Sequence, residues 1–393
     1  MACPASVAAA FLACILALVS CVSPSPGRET APILVGLYAD LSSAGAREGN
    51  DALKGALLRI DEVNAKGGVI NGRMAKLVVQ DMKQSPTEAV KAFTAFVKDD
   101  GACAVIGSNI DNAGLAVSPV ADLVKVPLVS LAIDDRVTNP DLKPADIDAI
   151  GPVRQYTFLV QPSAMQMAAL LATYATRSFL LKRYATLYDP ASTVSVLQAR
   201  AFEKAVQKGG KIVCASVELP EGDPATALKS IQESDAEAVY VCCSSEKNAD
   251  VARQARAMSY RPVFLGNQSW YSTTVTQAGD AVESAWFGIP ISPDDPGLAD
   301  LREKLLASYG ETPRASMVRG WDAAGLILAA VRRAGSTDSR KVRDALEQMR
   351  AFKGLSGTIE MDRKTHRLDA PSMAVMRISK GMYVTAEPRY TGK

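Results

Sequence analysis

The sequence holds a single histidine, His366, among 393 residues. Ser-His-Asp and Cys-His nucleophilic arrangements would both have to recruit it. It sits in the polar stretch Asp362-Arg363-Lys364-Thr365-His366, which reads as a solvated turn. No Gly-x-Ser-x-Gly elbow occurs. No P-loop or Gly-x-Gly-x-x-Gly follows a strand-like segment, so a phosphate cradle is unsupported. Cysteine is too sparse and too poorly spaced for zinc sites or a disulfide framework. Paired carboxylates leave no spacing signature, so carboxylate-only hydrolysis stays open, while every other catalytic set is missing. The net charge is only +2, with acids and bases interspersed. Without a basic stripe interleaved with aromatics, nucleic acid is not a partner. After the first 20 residues no apolar run is long enough to cross a bilayer. These absences describe a non-enzymatic protein without a cofactor.

What is present begins with the leader. From Ala5 to Ser20 no side chain is charged, and Ala, Leu, Val, Ile and Phe dominate. The run is shorter than the roughly 20 residues a membrane span needs. It ends in small residues before Ser23-Pro24-Ser25-Pro26-Gly27, so a secretory signal fits better than a span. Leu18-Val19-Ser20-Cys21 is similar to the lipobox of bacterial lipoproteins, although the usual Lys or Arg near Met1 is missing. The likeness implies a signal peptide over residues 1–20 and a Pro-rich tether over 21–30. It also implies an exported protein, periplasmic or at the cell surface, anchored through a lipid on Cys21. An ordinary signal peptide with a chance cysteine is the alternative.

The remaining length suits two domains. Ile33-Leu34-Val35-Gly36-Leu37 is apolar without alternation, as in a strand buried on both faces. Leu53, Ala56, Leu57, Ile60 and Val63 then share a helical face that stops at Gly67-Gly68. Lys76–Gln80 reads as a second strand. Ser85-Pro86-Thr87-Glu88 predicts an N-cap, a first-turn proline and a reciprocal capping box, with Phe93, Phe96 and Val97 buried. Cys103–Ile106 and Val126–Ser130 complete the first series of strands. A second series follows at Tyr184–Tyr188, Lys211–Val217, Ala238–Cys242 and Pro262–Leu265, separated by helical stretches 196–206, 223–234 and 250–258. Two βαβα series predict an α/β fold of two doubly wound parallel-sheet lobes. Residues 296–350 read as helical, and Gly357–Met361 with Met373–Ile378 as a terminal strand pair around a polar loop. The adjacent Cys242 and Cys243 read either as buried thiols or as a strained vicinal disulfide. A Cys214–Cys242 bridge is excluded because their strands are not neighbours.

Several stretches together resemble the type I periplasmic solute-binding proteins of ABC importers, in the branched-chain amino-acid branch. They are Ile33–Leu37, Asp61-Glu62-Val63-Asn64-Ala65-Lys66-Gly67-Gly68-Val69, Ala104–Ser108, Ser118–Ala121 and Val126–Ser130. Ala252–Arg256, Phe264-Leu265-Gly266, Gly320–Ala324 and Gly357–Asp362 follow in the order of the family. The resemblance runs from about Ala31 to Val384. It implies a clamshell joined by three crossing segments, with lobe 1 at 31–158 and 291–357 and lobe 2 at 159–290 and 358–393. It implies a small-molecule ligand, such as an amino acid, amide or amine, trapped between the lobes and delivered to ABC permease subunits. A sensing clamshell in a signalling system, or a relative that has lost binding, are the alternatives.

The same resemblance points to site residues. Ser108, Asn109, Asp111 and Asn112 fall in the loop that offers hydroxyl and N–H groups to an amino-acid carboxylate. Asp111 stands near a serine position, either facing the ligand or turned away as the N-cap of the next helix. Ser130, Ala132 and Asp134 match the second such loop, with Asp134 in place of a threonine. In lobe 2 the matches are Asp189, Thr193 where a tyrosine is usual, Ser244, and Gln268 in place of an acid. Trp270 and the adjacent Tyr271 could supply an aromatic wall. Losing the acidic partner of the ammonium while gaining acids opposite implies a ligand other than a simple aliphatic α-amino acid.

Overall fold

A computed structural model describes residues 31–392 except Ala44, Ile150 and Pro152. The leader, Cys21 and the tether lie outside the described residues.

The first sheet forms where apolar runs allow both faces to be covered. Strands β1 (Ile33–Ala39), β2 (Ala75–Asp81), β3 (Ala104–Ile106), β4 (Leu128–Ser130) and β5 (Thr157–Leu159) pair in parallel, in the order β2-β1-β3-β4-β5. Helices α1 (Ala46–Ala65), α2 (Pro86–Lys98) and α3 (Asp111–Val124) connect the first four strands. Ile33, Val35 and Leu37 enter the core shared with α1, whereas Tyr38 and Val105 enter the core under α2 and α3. The two-residue period therefore buries both faces. Ser85 caps α2 by accepting from the Glu88 N–H at 3.3 Å. Glu88 does not close the box, because its carboxylate pairs with Lys91 instead.

After β5 the chain crosses to the second sheet. Helix α4 (Ala164–Ser178) opens with a complete capping box between Ser163 and Gln166. There follow β6 (Arg183–Tyr188), α5 (Thr193–Lys208), β7 (Ile212–Glu218), α6 (Ala225–Glu233), β8 (Ala238–Val241) and α7 (Ser245–Ala257). Strand β9 (Val263–Gly266), short helix α8 (Thr273–Thr276) and β10 (Trp286–Ile289) complete the parallel part. Val239 and Val241 face one core, Tyr240 and Cys242 the other. The β7 and β8 strands flank β6, and the four described cysteines are free thiols.

The chain then returns to the first sheet as α9 (Ala299–Tyr309), α10 (Ala315–Ala334) and α11 (Ser339–Glu347), which matches the helical reading of this region. Helix α10 lies along α1 at near-backbone contact. A Cβ on Gly55 would overlap the Met317 carbonyl oxygen, and one on Gly320 the Ala52 carbonyl. Glycine at both positions is what lets the two helices meet and brings their N-terminal turns together.

The ending differs from the expected strand pair. Short strand β11 (Phe352–Lys353) pairs with β12 (Thr358–Ile359), while β13 (Met373–Ser379) joins β10 and the last strand, β14 (Met382–Tyr390), both antiparallel. The second sheet thus runs β14-β13-β10-β9-β8-β6-β7. His366 is no solvated turn residue either. Only 1% exposed, it stacks on Phe158 and reaches Glu347 at 3.2 Å. Burial holds its imidazole below the usual histidine range.

Candidate functional site

In doubly wound sheets, loops at the carboxyl ends of the strands build ligand sites. Here those loops from both sheets face one another across a cleft with two cavities that share Asp111 and Ile133. One, of about 620 Å³, is polar and lies between the loops after β3 and β4 and those after β6, β8 and β9. The other, of about 440 Å³, lies beside the crossing segment Pro290-Ile291 and is walled by the first turns of α1 and α10.

On the first lobe, Ser108 and Ser130 turn their hydroxyls inward. Ser108 accepts from the Ile110 N–H at 3.1 Å and Ser130 from the Ala132 N–H at 3.2 Å. Both are buried and, with Ala132, lie behind the cavity surface. Asp111 lines both cavities but is not an N-cap. Its Oδ1 accepts from the backbone N–H groups of Ile133 (2.9 Å) and Asp134 (3.1 Å), lacing one loop to the next. Burial, with the Asp134 and Asp135 carboxylates nearby, pushes its carboxyl up to about 6. Asp134 is occupied as well: it accepts from the Arg136 N–H and holds the Arg136 guanidinium at 2.6 Å. The group offered to the polar cavity is therefore an ion pair. Asn109 donates to Glu48 in the second cavity, and Asn112 lines the polar one.

On the second lobe, helix starts supply the lining. Ser192 caps α5, placing Thr193 in its first turn, and Ser244 caps α7. Asp189 accepts from the Ala191 N–H at 3.1 Å and pairs with Lys247 at 2.5 Å. Asn267 donates to Gln198 at 3.1 Å. Cys242 and Cys243 also line this cavity, and burial pushes the Cys243 thiol up to about 12, so it stays protonated. Gln268 and Tyr271 line the second cavity. Trp270 does not form the expected wall. It is fully buried, with its Nε1–H donating to the Val241 carbonyl at 2.9 Å. Two sequence neighbours are thus divided between core and cleft, and Tyr271, 44% exposed, is the aromatic surface.

The cleft thus gathers eight of the twelve expected side chains: Asn109, Asp111, Asn112, Asp134, Asp189, Thr193, Ser244 and Gln268. It also holds residues that sequence reading passed over. Ser195, Gln198 and Asn267 follow strand ends and were discoverable from position. Arg47, Glu48 and Asp51 on α1, and Arg314, Ser316 and Arg319 at the start of α10, arrive through the crossing of those helices, which leaves no local signal. Arg314 clasps Asp51 through two nitrogens and also pairs with Glu311 at 2.8 Å. Among the described residues, no group of three or more His, Cys, Asp or Glu side chains could hold a metal ion.

Two α/β lobes enclosing a polar cleft between their strand ends define a solute-binding clamshell. The profile of the family described as "Periplasmic binding protein" matches residues 32–382, and the chain belongs to that family. Membership places it with the periplasmic solute-binding proteins. Leu/Ile/Val-binding protein homolog 3 of Brucella melitensis is 26% identical over 362 residues, spanning 91% of this chain and 94% of its own. The leucine-binding protein LivK of Thermotoga maritima shares the fold at a TM-score of 0.73 and 22% identity, covering 91% of this chain and 99% of its own. A solute-binding protein of Rhodopseudomonas palustris, solved with 3,4-dihydroxybenzoic acid, gives 0.71 at 17% identity, with 92% and 98% covered.

Proposed function

We propose that this chain is the extracytoplasmic receptor of an ABC importer, closing two lobes on a small polar solute and presenting the closed form to the permease. The observation that carries this reading is the lining of one continuous cleft by strand-end loops of both lobes. Such a site is completed only when the lobes approach, so solute and closure stabilise one another. The lobes in motion would be 31–158 with 291–357, and 159–290 with 358–393. Cys21 would carry the lipid that keeps the receptor at the membrane.

The solute would differ from the branched-chain amino acids for which the relatives are named. Ser108 and Ser130 are tied into turns, Asp134 is closed by Arg136, and Gln268 offers an amide where the resemblance implies an acid. Thermal unfolding of the purified protein, stripped of carried-over ligand by unfolding and refolding, tests both statements. A solute at a thousand times its dissociation constant adds about 4 kcal/mol to the folded state, which is several degrees of Tm at this size. A shift with some solute class supports the receptor reading. Micromolar leucine binding would remove the second statement and leave the first.

A further inference from the structure

Three arginines of the cleft are held by side-chain partners, and Arg319 differs from the other two. Arg136 is closed by Asp134, and Arg314 by Asp51 and Glu311. Arg319 has neutral partners only: Nη1 donates to Gln161 Oε1 at 2.9 Å, Nη2 to Ser316 Oγ at 2.8 Å, and Nε to the Ala315 carbonyl at 3.3 Å. Burial holds its guanidinium below the usual arginine range. A guanidinium has five N–H donors. With three engaged, one N–H remains on each terminal nitrogen for a carboxylate to accept.

The second cavity is shaped around that group. Ser316 is buried there, accepts from Arg319, and keeps its own hydroxyl proton to donate. The nearby acids are already engaged: Asp51 by Arg314, Glu48 by the Asn109 amide in an exposed position, Asp111 by two backbone N–H groups. Tyr271, Ile289 and Pro290 give the remaining wall an apolar face. The Glu48 and Asp51 carboxylates act on Arg319 only through space, without a hydrogen bond to it, so the desolvated guanidinium still gains from a carboxylate bound directly.

We propose that the transported solute carries a carboxylate, received by Arg319 and Ser316, and an apolar body that lies against Tyr271 and the Ile289-Pro290 wall. This rests on reading the cleft as the solute site, and makes Arg319 its specificity-determining residue.

Benzoate and 4-methylpentanoate, each compared with its primary amide, test the proposal by calorimetry on the refolded protein. The amides keep the shape and lose the charge. The carboxylates are expected to bind roughly tenfold or more tightly than the amides, as for hydrogen bonds to a charged group. Arg319→Met should erase that preference by weakening the carboxylates far more than the amides, and Arg319→Lys should restore part of it. Circular dichroism and Tm of each free variant separate misfolding from lost recognition, and Arg319→Lys serves if Arg319→Met does not fold. Equal binding of acid and amide, or an unchanged preference in Arg319→Met, overturns the assignment. Shifts with amines or neutral amides and none with carboxylates overturn it too, while leaving the receptor reading intact. No shift with any solute class counts against both.

Discussion

The Asp111 carboxyl is buried beside two further acids and titrates at about 6, well above an unfolded aspartate. The folded state therefore holds this proton more tightly than the unfolded chain. Its contribution favours folding below about pH 4 and is lost as pH rises through about 6. Because Asp111 Oδ1 alone accepts both backbone N–H groups, Asp111→Asn can keep that lacing with its own carbonyl oxygen. The variant is expected to melt higher than the parent at pH 7.5, with the gap vanishing near pH 4, as read from Tm against pH. A second comparison separates neighbouring aromatics. Trp270→Phe should cost on the order of 1–3 kcal/mol by leaving the buried Val241 carbonyl without its donor. Tyr271→Ala should leave Tm within a degree or two, since its ring is nearly half exposed, yet weaken solute binding. Denaturant unfolding and calorimetry on the pair would show the opposite pattern if Trp270 were the contact.

Among elements, the crossing of α1 and α10 has least tolerance, because two glycines put carbonyl oxygens where a Cβ would stand. Gly55→Ala or Gly320→Ala is expected to destabilise by at least about 1–3 kcal/mol, the usual cost of overpacking, seen as a lower denaturant midpoint. Either change should also weaken solute binding, because the crossing sets Asp51 and Arg314 in the cleft. What was legible in sequence follows from how each element is buried. Strands β1, β3, β6 and β8 are apolar on both faces and announce themselves as short runs, and Ser85-Pro86 announces α2. By contrast β5 is three residues long, and β14 is an edge strand whose Glu387 and Pro388 break any apolar pattern. The terminal pairing is hidden in the sequence because Gly357–Ile359 resembles a closing strand while its partner, Phe352-Lys353, lies just upstream. At the site, the loops after the strands were found by position. Arg319 and Arg314 carry no such signal, since only the helix crossing brings them there, and the polar neighbours of His366 conceal a buried ring.

At the scale of the molecule, the lobes are tied where the chain crosses between them. Asp135, fully buried beyond β4, accepts from the Ser163 hydroxyl at 2.6 Å, from the Met165 N–H at 3.1 Å, and from Arg367. Arg367→Met would strand that carboxylate without its cation, and breaking a buried pair in this way costs roughly 3–5 kcal/mol. The expected result is a large drop in Tm at pH 7, read by thermal unfolding.

The order of strands in the second sheet has a consequence for how the molecule is born. β13 and β14 pair beside β10, and the first sheet waits for α10 and α11 to cover one of its faces. A chain emerging from its N-terminus cannot complete either core until most of its length is out. Both lobes are built from contacts far apart in sequence, the kind that slow folding. Such a polypeptide stays open during synthesis, and it reaches its final shape only after the last strand is free.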